Sequence, residues 1–381
     1  MTLKSKLPAV GTTIFSQMSQ LAAEQQAINL SQGFPDFAAS PQLISALADY
    51  SAQGLNQYAP MPGIAPLREQ IAALVQHCYG RHICPAAEIT VSSGATEALF
   101  VAISATVNPG YEVIVFDPAY DSYAPAIRLN GGKALHIALS APDYRIDWQQ
   151  VADAITARTR LIIVNSPHNP SGMVFSHSDW LALQQLVSAH NLYCISDEVY
   201  EHMVFDGAPL LSANNFAELA QRSFIVSSFG KTFHVTGWKL GYCVAPAALT
   251  AEFRKIHQYV TFSSFTPAQH AIADMLKLQR DQVHSLAAFY QQKRDSFATL
   301  LANSRFNLLS CQGTYFQLAD YSGISDLDDV AFCRWLTIEH KVAAIPLSVF
   351  YQTAPQSRII RFCFAKQHST LQAAAEALCQ I

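Results

Sequence analysis

From about residue 94 onward, short apolar runs alternate with stretches of helical spacing, and that rhythm admits few architectures. EVIVFD, TRLIIVN, NLYCISDE, SFIVSSF and LGYCVAP each read as a short, buried strand. GATEALFVAISATV, stopped by NPG, and DWLALQQLVSAH carry helical periodicity between them. Strands separated by helices predict an α/β fold: a large domain with a mostly parallel sheet covered by helices on both faces. In such sheets ligands sit beyond the carboxyl ends of the strands. The C-terminal part breaks the rhythm. It offers one long helical stretch, QHAIADMLKLQRDQVHSLAAFYQQKRDSFATLLAN, then GTYFQLADY, a helix near DDVAFCRWLTIEH, the strand RIIRFCFA and a closing helix over STLQAAAEALCQ. These predict a smaller α+β domain. We expect a large ligand-binding domain over residues 41–284. A second unit would combine an N-terminal arm, 1–40, with 285–381, and a helix would cross the boundary near 285.

Composition narrows the function classes. A chain of 381 residues with 50% hydrophobic residues can build one large and one smaller core. Mean hydropathy is +0.14, yet no apolar run approaches the length of a membrane span. MTLKSKLPAVGTT lacks the apolar region of a secretory signal. The net charge of -4 argues against a nucleic-acid surface. Eight scattered cysteines without a CxxC pair read as reduced, buried thiols of a cytoplasmic protein. Thirteen dispersed histidines without HExxH give no expectation of a metal. No GxGxxG follows the early strands, which excludes a nicotinamide-binding reading.

SSFGKTFHVTGWKLGY, residues 227–242, sets Lys231 and Lys239 among small, aromatic and glycine residues in a chain that is only 14% charged. Lysine is rarely placed so without a partner or a task. Other polar residues also follow predicted strands: Tyr120 and Tyr123 after EVIVFD, Asn169 in SPHNPSG, Asp197 and Tyr200 after NLYCIS, and Ser228 after SFIVS. SSGATEALF puts glycine and hydroxyl groups at a helix start. Taken singly, each has an ordinary structural reading as core packing, turn, cap or solvated charge. Together they match what pyridoxal phosphate needs. Lys231 would hold the aldehyde covalently. Asp197 would keep the pyridine nitrogen protonated. Asn169 and Tyr200 would bond the ring hydroxyl, and Tyr120 would stack on the ring. The helix start, Ser228 and Lys239 would hold the phosphate.

The ordered set INLSQGFPDF, NQYAPMPGIAPLRE, SSGATEAL, FDPAYDSYAP, NSPHNPSG, SDEVYEH, SSFGKTFHVTGWKLGY and IIRFCFAK resembles the fold-type I class I/II aminotransferases almost end to end. Within that family the chain is most similar to the branch holding bacterial methionine aminotransferases and the kynurenine aminotransferase and glutamine transaminase enzymes. The resemblance implies that Lys231 also moves the proton at the substrate α-carbon. It implies that Ala95 and Thr96 join Ser228 and Lys239 around the phosphate. Tyr58 would reach the phosphate of a neighbouring subunit, which implies a homodimer with shared sites. Arg361 would clamp the substrate α-carboxylate, and Gly33 would let the backbone approach it. Two positions depart from many relatives: Lys239 stands where arginine is common, and Gly230 where serine is common.

The implied reaction is a ping-pong transfer of an α-amino group to a 2-oxo acid. No basic residue for a distal carboxylate stands in YVTFSSFTPAQ. Phe15, Phe262 and Tyr58 point instead to an apolar, aromatic pocket for methionine, phenylalanine, tyrosine, leucine or glutamine. A cysteine-conjugate carbon–sulfur β-lyase would share the cofactor residues, and release of pyruvate and ammonia would expose it. A non-enzymatic sensor domain, of the kind fused to DNA-binding modules, fits the net charge of -4 poorly.

Overall fold

The computed structural model describes residues 3–381. A short strand, β1 (Ile28–Asn29), follows the first helix, Ile14–Glu24. The large sheet is built from β2 (Ile89–Ser92), β3 (Glu112–Asp117), β4 (Lys133–Ala138), β5 (Thr159–Asn165), β6 (Tyr193–Asp197), β7 (Ser223–Ser228) and β8 (Gly241–Val244). Their spatial order is β2-β8-β7-β6-β5-β3-β4. The five strands from β7 to β4 run parallel, whereas β8 is antiparallel to both of its neighbours. Further along come β9 (Asn307–Leu308), β10 (Phe316–Asp320), β11 (Val342–Ala343), β12 (Ile345–Pro346) and β13 (Ile359–Cys363). β11 pairs in parallel with β1, and the other four form an antiparallel sheet ordered β12-β13-β10-β9.

The five strands read from sequence are present. β2 and β4 carried weaker signals: β2 is only four residues long, and β4 is half exposed along an edge. β3 is buried at every position, which is why its central VIVF is wholly apolar between Glu112 and Asp117. The helix Ala95–Thr106 buries Ala98, Leu99, Val101, Ala102 and Ile103 against the sheet. His177–Ala189 begins at a capping box, where Ser176 Oγ accepts from Asp179 N at 3.2 Å and Asp179 Oδ2 accepts from Ser176 N at 2.8 Å.

The long C-terminal helical stretch is two helices, Thr266–Leu278 and Arg280–Leu300, divided at Gln279 (φ -135, ψ 42). The first packs on Pro41–Ala52 and Ala65–Tyr79, the second on the closing helix His368–Leu378. The break lets one run of helical sequence pack against different sets of helices on its two sides. Five of the eight cysteines are buried, Cys78 and Cys379 are half-buried, and Cys84 is exposed; all are free thiols. No helix among the described residues is long and apolar enough to cross a membrane.

Candidate active site

Chain direction brings the polar strand ends to one edge of the large sheet. β5, β6 and β7 finish there at Asn165, Asp197 and Ser228. β8 runs the other way, so its first residue, Gly241, pairs with Ser228 and also with Ser92 at the end of β2. A cavity of about 180 Å³ opens at this edge. Its wall includes Ala95, Thr96, Tyr120, Asn169, Asp197, Tyr200, Ser228, Lys231 and Lys239, all named from sequence.

One end of the cavity is built for an anion. The N-cap of helix Ala95–Thr106 is Gly94, at φ 81, which makes no side-chain bond to the first-turn amides. Lys239, itself at φ 50, arches over that turn: a Cβ on Gly94 would lie 3.4 Å from its Nζ. Thr96 Oγ1 lies 3.2 Å from the Tyr120 hydroxyl. Uncapped amides, an ammonium and nearby hydroxyls form an anion cradle.

The opposite end is acidic. Asp197 is buried, and its Oδ2 accepts from the Tyr123 hydroxyl at 2.5 Å. Asn165 Nδ2 donates to the Asp197 carbonyl at 2.8 Å, and Asn165 Oδ1 accepts from Asn169 N at 2.8 Å. Burial pushes the Asp197 carboxyl up to about 6, against the pull of Tyr123, the Val199 amide and the charge of Lys231. It is therefore ionised at neutral pH, in a place where a buried cation would be welcome.

Lys231 Nζ donates to the Tyr315 hydroxyl at 2.8 Å and to the Gly33 carbonyl at 3.2 Å. Burial lowers its ammonium to about 8, with Arg361 and Lys239 pushing the same way and Cys363 and Asp197 opposing. Tyr200 is buried, edge-on to Tyr315 at 5.2 Å, and burial drives its phenol upward.

Beyond this wall lies a guanidinium. Arg361, on β13, is 1% exposed. Its Nη1 donates to Asn169 Oδ1 at 2.8 Å and its Nη2 to the Ser31 carbonyl at 3.2 Å. The plane stacks on Phe316 at 3.9 Å, with Phe15 and Phe350 at 5.4 and 5.5 Å. Its Nε is buried without a partner among the described residues. A buried, unfilled donor on a fixed guanidinium fits a carboxylate ligand. A Cβ at Gly33 would come 2.8 Å from Phe316 Cζ, so any side chain there would have to displace that buried ring.

The aromatic pocket expected from Phe15, Phe262 and Tyr58 is not one surface within the chain. Phe15 packs on Phe350 at 5.7 Å, beside Arg361. Tyr58 is 85% exposed and meets Phe262 edge-on at 5.6 Å; neither lines the cavity that holds Lys231. Phe262 follows the end of helix Ala247–Val260 at φ 64, a turn that leaves its ring half-exposed.

Sequence reasoning missed Tyr315 and Asn165. Asn165 had a signal, since it is the polar end of an apolar strand. Tyr315 had none: GTYFQLADY reads as ordinary strand entry. The motif SDEVYEH also hid a buried acid pair. Glu201 accepts from the hydroxyls of Tyr79, Ser227 and Tyr242. Glu198 Oε1 accepts from Ser196 and the Ala213 amide, while its Oε2 has no partner among the described residues. Burial and the Glu201 charge push the Glu198 carboxyl from 4.5 up to about 8. A raised carboxyl favours folding when protonated, so that stability is full below about 4.5 and lost as pH rises through about 8. Glu198→Gln should flatten this loss and be more stable than the parent by about 2 kcal/mol at alkaline pH. Calorimetry from acid to alkaline pH checks it; parallel curves for the two proteins would contradict the assignment.

The fold and the strand-end cavity together define a fold-type I α/β enzyme. A sequence profile described as "Aminotransferase class I and II" matches residues 25–378. A methionine aminotransferase of Escherichia coli (strain K12) is 55% identical, over 99% of this chain and 98% of its own. A kynurenine–oxoglutarate transaminase of Dictyostelium discoideum is 34% identical, over 97% of this chain and 94% of its own. A crystal structure of an Escherichia coli protein, described as identifying a methionine aminotransferase function, superposes with a TM-score of 0.98 at 55% identity, covering 100% of both chains. The chain belongs to the class I and II aminotransferases, enzymes that use pyridoxal phosphate to exchange amino groups between amino acids and 2-oxo acids. The anion cradle, the buried carboxylate and the lysine amine on one wall fit that cofactor.

Proposed function

We propose that this enzyme moves the α-amino group of methionine, and of other apolar, aromatic or glutamine-like amino acids, to a 2-oxo acid in two successive half-reactions. The observation that carries the reading is the Lys231 amine on one cavity wall with the buried Asp197 carboxylate, within electrostatic reach of Arg361, whose Nε is open. The names of the two relatives support the choice of methionine and aromatic substrates. Pyridoxal phosphate, when bound, supplies an aldehyde for the amino group and a ring that accepts the electron pair of the α-carbon.

The chain's own residues do the rest. Ala95 and Thr96 amides, Ser228 and Lys239 would hold the phosphate. Asp197 would keep the ring nitrogen protonated, Asn169 and Tyr200 would bond the ring hydroxyl, and Tyr120 would stack on the ring. Lys231 would hold the cofactor through its amine and would serve as the base for the proton on the substrate α-carbon. An amine near 8 is partly neutral at physiological pH and is a competent base. Gly33 and Arg361 fix the substrate α-carboxylate. Phe15 lies beside it, and Tyr58 with Phe262 reaches the site of a second copy, in a homodimer working in the cytoplasm. Residues 41–284 form the cofactor-binding domain, and 1–40 with 285–381 form the smaller unit.

Arg361→Lys keeps the charge and loses the fork. We expect kcat/KM for methionine to fall about 100-fold, mostly through KM. A loss under threefold in steady-state assays would remove Arg361 from the carboxylate site. The direct test of the reaction is the absorbance of the purified holoenzyme on adding methionine without an oxo acid. The band of the lysine-linked cofactor should give way to that of its amine form. If methionine leaves the band unchanged, methionine is not a donor.

A further inference from the structure

Tyr315 enters the site from the smaller sheet, one residue before β10. It is wholly buried, and burial keeps its phenol well above 10, so it stays neutral. The turn that delivers it has no slack. Thr314 sits at φ 70, and a Cβ on Gly313 would lie 2.7 Å from the Met203 carbonyl. The Tyr315 hydroxyl spends its single proton on the Gly33 carbonyl, at 2.6 Å. Its lone pair is then free to accept from Lys231 Nζ at 2.8 Å, while the same Gly33 carbonyl accepts a second N–H at 3.2 Å.

Resting on the reading of Lys231 as the base, we infer that Tyr315 and the Gly33 carbonyl form a two-acceptor holder that aims the remaining direction of Lys231 Nζ at the substrate α-carbon. The nitrogen is tetrahedral. One direction is the bond to Cε, and two N–H groups go to the two acceptors. The fourth carries the lone pair of the neutral amine, or the proton it has just taken. The holder therefore turns a freely rotating amine into a directed base and keeps the abstracted proton in place for its return. It comes from three separate parts of the chain: the N-terminal arm, the helix after β7 and the entry to β10.

The holder also favours the ammonium. Cys363, Arg361, Lys239 and Asp197 face Lys231 as well, with the Tyr200 ring 5.6 Å away. Cys363 is kept neutral by burial, Arg361 and Lys239 lower the Lys231 ammonium, and Asp197 raises it. None of them is hydrogen-bonded to the amine, so the hydroxyl at 315 is the group whose loss is felt first.

Tyr315→Phe removes only that oxygen. Competitive acetylation of the full-length, cofactor-free chain, read by mass spectrometry of the Lys231 peptide, gives the midpoint of the amine. We expect the midpoint to fall by about one pH unit in the variant. In the holoenzyme, kcat should fall about 10- to 100-fold with KM little changed. A purely structural tyrosine would leave the midpoint where it was, and an unmoved midpoint overturns the inference. Should the phenylalanine chain fail to fold, 3-fluorotyrosine at 315 must move the midpoint the same way by a smaller amount; no movement there overturns it equally. Borohydride reduction after adding pyridoxal phosphate tests the underlying reading separately. A mass increase on the Lys231 peptide supports it, and one confined to another lysine overturns the base assignment whatever the midpoint does.

Discussion

Lys231→Ala is expected to lower turnover by about 10⁴-fold or more while leaving the fold in place. Two roles vanish together, the covalent hold on the cofactor and the base at the α-carbon, so no partial activity survives from one of them. The fold should tolerate the change for a specific reason. Lys231 brings a half-buried charge whose ammonium is already lowered to about 8 by desolvation, so its removal relieves part of that cost. Tyr315 keeps its donor bond to the Gly33 carbonyl and is not left unsatisfied. Thermal stability should change by no more than about 1–2 kcal/mol in either direction. Turnover within tenfold of the parent, with circular dichroism unchanged, would refute the assignment of Lys231.

Asp197→Asn should cost about 10³-fold in kcat, because an amide cannot hold a buried cation and so cannot keep the ring nitrogen protonated. The substitution is nearly isosteric, and the Tyr123 hydroxyl can still donate to the amide oxygen at this site. Loss of activity would then come from charge rather than from collapse. The parent protein should show the same dependence on pH. Its carboxyl is raised to about 6, so as pH falls through that value the carboxylate is lost and cofactor affinity should weaken. In Asp197→Asn the affinity should be lower and flat over that range. Cofactor titrations on both sides of that pH check this, and a variant whose affinity still fell steeply at acid pH would place the titrating group elsewhere.

Much of this site was legible because strand-end chemistry is local. Asn169, Asp197 and Lys231 each follow an apolar run, and a parallel sheet collects such positions on one edge without further information. The direction of β8 was not legible. Yet antiparallel pairing is what sets Gly241 opposite Ser228, with Lys239 just ahead of it. Tyr315 was hidden because it lies far in sequence from Lys231, in a sheet whose pattern reports only burial. Within one chain Phe15, Phe262 and Tyr58 do not share a wall, for the opposite reason. Aromatic type says nothing about which surface a ring serves, and none of the three lines the cavity of its own chain. The break at Gln279 was also silent, since neither proline nor glycine marks it.

Arg361 holds the Asn169 side chain, Asn165 holds the Asn169 backbone, and Asn165 also grips the carbonyl of Asp197. For a protein engineer this relay divides the molecule into parts that can be retuned and a part that cannot. Rebuilding the outer guanidinium to accept a different head group disturbs, through two asparagines, the strand end that carries the acid. Phe15 and Phe350 flank the same guanidinium through their rings alone. Libraries aimed at new side-chain preferences belong at those two positions, where size and shape can drift without tugging on the catalytic machinery.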